Sequence, residues 1–312
     1  MVQSSEAIQD KRAKRLNWLS KYWQLYLMLV PAIVLTFVFR YIPMYGVQIA
    51  FRDFIAADGI WGSRWVGLDH FRRFFDHIHS WRMIRNTVLL SLYGMLWSFP
   101  IPIILSLFIN SVKNDKYKRV VTTTLYAPHF ISVMVVVGMI TMFLSPTGGL
   151  INNLLGLFGV PPTHFLEDPG MFRTIYISSG IWQSAGWGCI IYLATLSTVD
   201  KSLHEAAMMD GASSMKRLWH IDIPALIPII TLSLIMSFGS LMNVGFEKAF
   251  LLGNVLNRST SEIIAVYVYQ QGIERGAHSF ATAVGLFNTV INLILLIIVG
   301  RIAKRMSGIS FI

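Results

Sequence analysis

The chain has 312 residues, of which 54% are hydrophobic and 13% charged, and its mean hydropathy is +0.57. That composition excludes an ordinary water-soluble globule, which needs far more charge on its surface. A formal net charge of +10 and one cysteine, Cys189, leave no disulfide framework and no cysteine metal site. The basic residues gather at the ends of apolar segments, a placement that fits membrane orientation and not nucleic-acid binding.

Residues 1–21 form a polar tail with Lys11, Arg12, Lys14 and Arg15, resembling the n-region of a signal peptide. The apolar run that follows contains Pro31, continues into YIPMYG and has no small-residue cleavage site, so a retained anchor is expected. Crossing a bilayer takes about 20 apolar residues in helix. Segments 22–39, 84–110, 120–144, 171–198, 226–252 and 280–301 qualify. None alternates with period two, which excludes a barrel. The expected fold is an all-α membrane domain of six transmembrane helices spanning 22–301, without a second globular domain.

Orientation follows from the loops. The tail, the 110–119 loop (Lys113, Lys116, Lys118, Arg119), the 199–224 loop (Lys201, Lys216, Arg217) and the 302–312 tail with Lys304 and Arg305 are basic. They belong on the cytoplasmic side, which puts both termini inside. The 145–170 and 253–279 loops hold only Arg258 and Arg275 and belong outside. The long 40–83 loop carries six arginines interspersed with Asp53, Asp58, Asp69 and Asp76, and long loops translocate with less regard to charge. Within it, GLDHFRRFFDHI reads as an amphipathic helix on the membrane surface, with Phe71, Phe74 and Phe75 toward lipid. Pro100, Pro102 and Pro128 each remove a backbone hydrogen bond and are expected to kink their helices.

The 199–224 loop has its own local chemistry. Ser202 and Glu205 stand at capping-box spacing, followed by the small residues Ala206 and Ala207. Gly211 permits a bend that a β-carbon would oppose. Ser213 or Ser214 can cap a second turn, and Pro224 suits the first turn of the next span. Phosphate-loop, HExxH and GxSxG patterns are absent from the sequence, so ATP hydrolysis, metalloprotease and serine-hydrolase chemistry are not expected of this chain. His129 and His220 read as packing or interfacial residues.

The order E-A-A, three residues, Gly211, nine residues, then Ile221-x-Ile223-Pro224 resembles the EAA loop of permease subunits of bacterial ABC importers, with Ile223 where that family usually has Leu. The stretches YIPMYGVQIAFRDF, WVGLDHFRRFF and RNTVLLS extend the resemblance over almost the whole chain. It is most similar to the carbohydrate group, and within it to importers of oligosaccharides from polysaccharide breakdown, such as alginate or rhamnogalacturonan. The resemblance implies a type I ABC importer permease fold in a bacterial cytoplasmic (inner) membrane. It implies a second, related permease, two cytoplasmic ATP-binding subunits holding ATP and Mg, and an extracytoplasmic solute-binding protein. This chain itself would bind no cofactor or metal. Glu205 would be the charged contact to the ATPase, Ala206 and Ala207 the close-packing surface and Gly211 the bend, with Asp210, Ile221 and Pro224 completing the motif.

Polar and aromatic residues inside spans are candidates for a sugar path, because aromatic faces suit apolar sugar surfaces and amides suit hydroxyls. These are Tyr93, Trp97, Trp182, Gln183, Trp187, Asn243 and Asn288. Buried amides also join helices, so both readings stand for each. Glu247 and Lys248, at the outer end of the fifth span, are either pathway residues or an interfacial anchor pair. Two other classes compete with the importer. An ion-coupled secondary transporter predicts inverted repeats and midplane charges. A membrane-embedded transferase predicts a reactive interfacial cluster, for which Glu167 and Asp168 after His164 are the nearest candidates. Within the importer reading, a permease for a non-sugar solute such as amino acids also remains open.

Overall fold

In the computed structural model, residues 21–307 are described, with side chains through 302; Lys11, Arg12, Lys14 and Arg15 fall outside that set, and Lys304 and Arg305 are described by their helical backbone alone. The chain forms two compact units, Met1–Gly67 and Leu68–Ile312.

The first unit holds helix α1, Trp23–Phe51. It runs past the expected end at 39, so the loop predicted from 40 begins at Arg52. The helix survives Pro43 because Phe37–Tyr41 form a π-turn in which the Ile42 N–H reaches the Phe37 carbonyl. The wider turn moves the carbonyl that a proline ring would otherwise strike. Beyond it, strands β1 (Arg52–Asp53) and β2 (Arg64–Trp65) pair antiparallel. Arg52 donates to the Ser63 carbonyl at 2.9 Å and lies against the rings of Trp61 and Trp65.

The second unit is a helical bundle: α2 (Asp69–Asp76), α3 (Ser80–Ser111), α4 (Asp115–Phe130), α5 (Val133–Phe143), α6 (Leu150–Gly156) and α7 (Pro169–Ser197). There follow α8 (Lys201–Met209), α9 (Ser214–Gly239), α10 (Phe246–Leu252), α11 (Ile264–Tyr269) and α12 (His278–Ser307). Four described helices, α1, α3, α9 and α12, are long and apolar enough to cross a membrane, and α4 with α5 makes a fifth as a bent pair. Helix α7 has the length, 29 residues, but Gln183, its serines and its glycines dilute its apolarity.

Three expected elements change shape. The 120–144 segment is broken, with α4 and α5 meeting at 97°. Pro128 ends α4 in a 3-10 turn, and Ser132 starts α5 in extended conformation by accepting the Val135 N–H. The 226–252 segment ends at Gly239, and α10 is a separate short helix. Helix α2 is amphipathic as expected, but Phe74 is buried against Tyr267 and Phe287, and Phe75 meets Phe287 edge-on at 5.2 Å. Phe74 therefore covers α11 and α12 rather than lipid, while Phe75 stays 54% exposed. Joining the protein removes Phe74 fully from contact with any solvent, which lying on a bilayer surface does not achieve.

Helix α7 is central, packing on α3, α4, α9 and α10. Gly186 permits the crossing with α4, since a β-carbon there would collide with the Leu125 carbonyl oxygen. One apolar cluster gathers Leu90, Val137, Phe172, Leu252 and Ile263 from five different segments. A second joins Phe74, Met83, Met242, Tyr267 and Phe280. Many large apolar side chains on the outer faces are exposed, among them Leu96, Phe108, Ile227 and Ile298, which is what a lipid-facing surface requires.

Candidate functional site

The polar loop between α7 and α9 folds as a short helix held away from the bundle. Helix α8 has no buried residue. Asp200 caps it, accepting the Ser202 N–H at 2.9 Å from extended backbone. The same backbone N–H and the Ser202 hydroxyl hold the Asp200 carboxyl below the usual carboxylate range. This corrects the Ser202–Glu205 capping box: with Asp200 two residues upstream, Ser202 lies inside the helix and Glu205 has no cap to serve. Glu205, Ala206 and Asp210 are exposed and Ala207 half-buried.

The helix ends in a Schellman motif. The Ala212 N–H bonds the Ala207 carbonyl at 2.8 Å, the Gly211 N–H bonds Met208 at 3.0 Å, and Gly211 takes φ +74°. Ser213 accepts the Lys216 N–H and starts α9. Pro224 stands in the first turn of the α-helical stretch Ile223–Gly239, as expected from sequence, but the helix continues upstream of it to Ser214. A second π-turn, Leu218–Asp222, closed by the Ile223 N–H on the Leu218 carbonyl, makes room for the ring as at Pro43. Ile221 is half-buried and Pro224 exposed. One side-chain link ties α8 to this turn: His204 Nε2 lies 3.4 Å from Asp222 Oδ1. His220 bonds its own helix, at the Lys216 carbonyl. The loop presents apolar side chains to solvent: Met208 and Met209 (89% exposed) one turn beyond Glu205, and Met215 and Trp219 farther along.

The expected pathway residues separate into groups. Tyr93 and Trp97, one turn apart on α3, line a cavity of about 510 Å³ with Arg173, Thr174, Ile177 and Ser178 of α7. Asn243 lines a second cavity of about 500 Å³, where Ser91 and Ser98 of α3 face Ser233 and Ser237 of α9, with Tyr176 at its edge. Asn243 and Asn288 also belong to an amide knot. The Asn243 side-chain oxygen accepts from Asn292 at 3.1 Å and Asn288 at 3.5 Å, while Asn292 accepts the Met242 N–H at 2.8 Å. The knot bonds the backbone freed where α9 ends.

Gln183 donates to the Ile131 carbonyl at 2.8 Å, a backbone group released by the α4–α5 break, and so holds that bend. Trp187 stacks on His129 with centroids 4.5 Å apart, and Trp182 is exposed. Lys248 is no interfacial anchor. It is 7% exposed, donates to the Tyr176 carbonyl at 2.8 Å and lies over that ring, because α10 turns inward instead of continuing the fifth span. Glu247 is exposed. Glu167 forms a contact with His164 at 3.1 Å and Asp168 caps α7, so each has a structural partner.

Sequence reading missed a buried polar network. Glu262, 4% exposed, binds Arg82 and Arg258, each at 2.6 Å. Burial alone would raise its carboxyl, but the two guanidiniums hold it below the ordinary range. Asn86 donates to the Ser259 and Glu262 carbonyls and accepts from Arg173, and Thr87 accepts the Ile264 N–H. Arg82 and Glu262, Asn86 and Ser259, and Thr87 and Ile264 lie 173 to 180 positions apart in sequence, so no local pattern announces these pairs.

Protein LplB of Bacillus subtilis (strain 168) is 42% identical over 94% of this chain and 93% of its own length. The polygalacturonan/rhamnogalacturonan transport system permease protein YteP of the same organism is 41% identical over 96% and 94%. Among solved structures, a bacterial ABC transporter involved in the import of the acidic polysaccharide alginate matches with a TM-score of 0.86 and 36% identity, covering 94% of this chain and 99% of that one. Its complex with an alginate pentasaccharide-bound periplasmic protein matches equally well. The family model described as binding-protein-dependent transport system inner membrane component matches residues 98–308, which contain the whole α8 loop and the α7 and α9 walls of the two cavities. The chain belongs to that family of ABC importer permeases.

Proposed function

We propose that this chain is one of two related permeases that move an oligosaccharide, uronate-containing as in alginate or polygalacturonan, from an extracytoplasmic binding protein into a bacterial cytoplasm. The observation that carries the coupling is α8, an exposed helix that ends at a left-handed glycine and is joined to α9 through His204 and Asp222. A helix with no buried face needs a partner to cover its apolar side, and Met208 and Met209 offer that surface next to Glu205. The partner is a cytoplasmic ATP-binding subunit. Two such subunits hold ATP and Mg, and this chain binds neither. When they close on ATP, α8 moves with its cleft and the displacement enters α9, shifting the bundle between two packings.

The arrangement fits six spans, with α7 counted beside the bent α4–α5 pair, and both termini on the cytoplasmic face of the inner membrane. The sugar assignment draws on the names of the relatives YteP and the alginate importer and on the aromatic and hydroxyl lining of the two cavities.

The test is to co-purify the chain with its mate permease and ATPase in lipid nanodiscs and to measure ATP hydrolysis on adding binding protein loaded with different oligosaccharides. Stimulation by acidic oligosaccharides, lost in Glu205→Lys while the complex stays assembled, supports the reading. Failure of any ATPase to associate with the wild-type chain sinks it.

A further inference from the structure

Arg173 carries a charge that the surrounding protein does not balance. It stands in the second turn of α7, half-buried. One of its amino groups donates to the Asn86 side-chain oxygen at 3.2 Å, while its Nε is buried without a hydrogen-bond partner. Glu262, the carboxylate in the same network, is already taken by Arg82 and Arg258. Among the described residues no carboxylate lies within 4 Å of Arg173. A cation on a membrane helix, partly stripped of water and lacking a counter-charge, is costly, and such groups mark ligand paths.

What Arg173 faces is also specific. Its cavity holds Tyr93 and Trp97 on one wall, 45% and 58% exposed, with Thr174 and Ser178 on the other. At about 510 Å³ it falls within the range of small-molecule sites, about 300–1,000 Å³. A guanidinium fork matches the two oxygens of a carboxylate. Flat aromatic rings match the apolar face of a pyranose, and hydroxyls match hydroxyls. A phosphate dianion would call for a second cation, and no other charged side chain lines the cavity.

We propose that the cavity between α3 and α7 binds a sugar unit bearing a carboxylate, with Arg173 as the residue that reads the charge. The carboxylate takes the guanidinium N–H groups that Asn86 leaves free, the ring lies on Trp97 and Tyr93, and Thr174 and Ser178 bond its hydroxyls. This rests on the reading of the chain as an oligosaccharide permease and extends it by assigning the residue that separates acidic from neutral cargo.

The experiment uses the complete importer in proteoliposomes, with trigalacturonate or a short alginate oligomer against carboxyl-reduced chains of the same length. Arg173→Gln should lower uptake of the acidic chain about tenfold or more and leave the neutral chain within twofold of wild type. Arg173→Lys should recover part of the loss, having the charge but not the fork. Trp97→Ala should lower both. Thermal unfolding of the purified complex establishes that Arg173→Gln still folds. Equal loss of both cargoes in Arg173→Gln overturns the assignment and makes the residue a clamp for Asn86, leaving the importer reading intact. A loss that disappears in vesicles without anionic lipid also overturns it, in favour of a lipid headgroup. A wild-type importer that moves only the neutral chain overturns the acidic-sugar reading and this site together.

Discussion

Replacing Glu262 with Gln should be among the most damaging single changes that add no atoms. The carboxylate is 4% exposed and takes one guanidinium on each side, Arg82 and Arg258, both at 2.6 Å. Removing one partner of a buried ion pair costs about 3–5 kcal/mol, because the other charge stays behind unpaired. Two facts discount that figure: Arg82 and Arg258 are 33% and 54% exposed and recover water, and Gln keeps one oxygen as acceptor. About 2–3 kcal/mol remains. The sign with pH follows from the lowered carboxyl. A group depressed in the folded state stabilises above its unfolded value and loses that contribution as pH falls through the folded one. Wild type should therefore lose stability below about pH 4.5, the ordinary glutamate value, and Glu262→Gln should lack that component. The assay is denaturant unfolding of the nanodisc-embedded protein from pH 3 to 8. A cost under about 0.5 kcal/mol at pH 7, or an unchanged acid limb in the variant, would refute the argument.

Gly186→Ala should fail to give a folded permease, since the added carbon meets the Leu125 backbone; Gly138→Ala on α5, with nothing within 4 Å, should be stabilising by about 0.5–1 kcal/mol. Expression and melting temperature compare the two. Gly211→Ala meets no atom within 4 Å but must hold φ +74°. Its cost of about 1 kcal/mol should appear as several-fold faster hydrogen exchange confined to α8. Lys248→Met keeps the volume and removes a buried cation bonded to one carbonyl. Melting should stay level or rise, and a loss above about 2 kcal/mol would mean that the charge itself holds α10.

Local signals were legible wherever a short stretch decides its own conformation. Gly211 and Ser213 mark the end of α8 and the start of the next helix, and Pro128 marks the segment that bends, although the 97° break is sharper than the kink expected of a proline. The capping residue is ambiguous in sequence because Asp200 and Ser202 both qualify, and only the backbone of the incoming chain chooses between them. The end of the fifth span is hidden for a different reason: residues 240–252 are apolar enough to continue it, and nothing local says that Asn292, fifty positions away, will bond the Met242 N–H. Phe74 reads as lipid-facing because an amphipathic face names no partner, and nothing near it in sequence points to Tyr267 or Phe287. The pathway residues share that limit. Gln183 and Trp187 have the right chemistry for sugar, yet their neighbours are the Ile131 carbonyl and the His129 ring. Arg173 drew no attention because a lone arginine near a helix start looks ordinary until its missing counter-charge is seen.

The π-turn at Leu218–Asp222 sets the phase of everything after it. A turn holding one residue more than an α-turn rotates the downstream helix by about 100° relative to an uninterrupted rod. Ser233 and Ser237 reach their cavity only because that extra residue has already been spent eleven positions upstream. Deleting a single residue from the turn would leave every cavity side chain in place in the sequence and swing the serines around the helix axis, out of the lining. The polarity of that cavity is thus written partly in a count of residues next to the loop, at a site that never touches it.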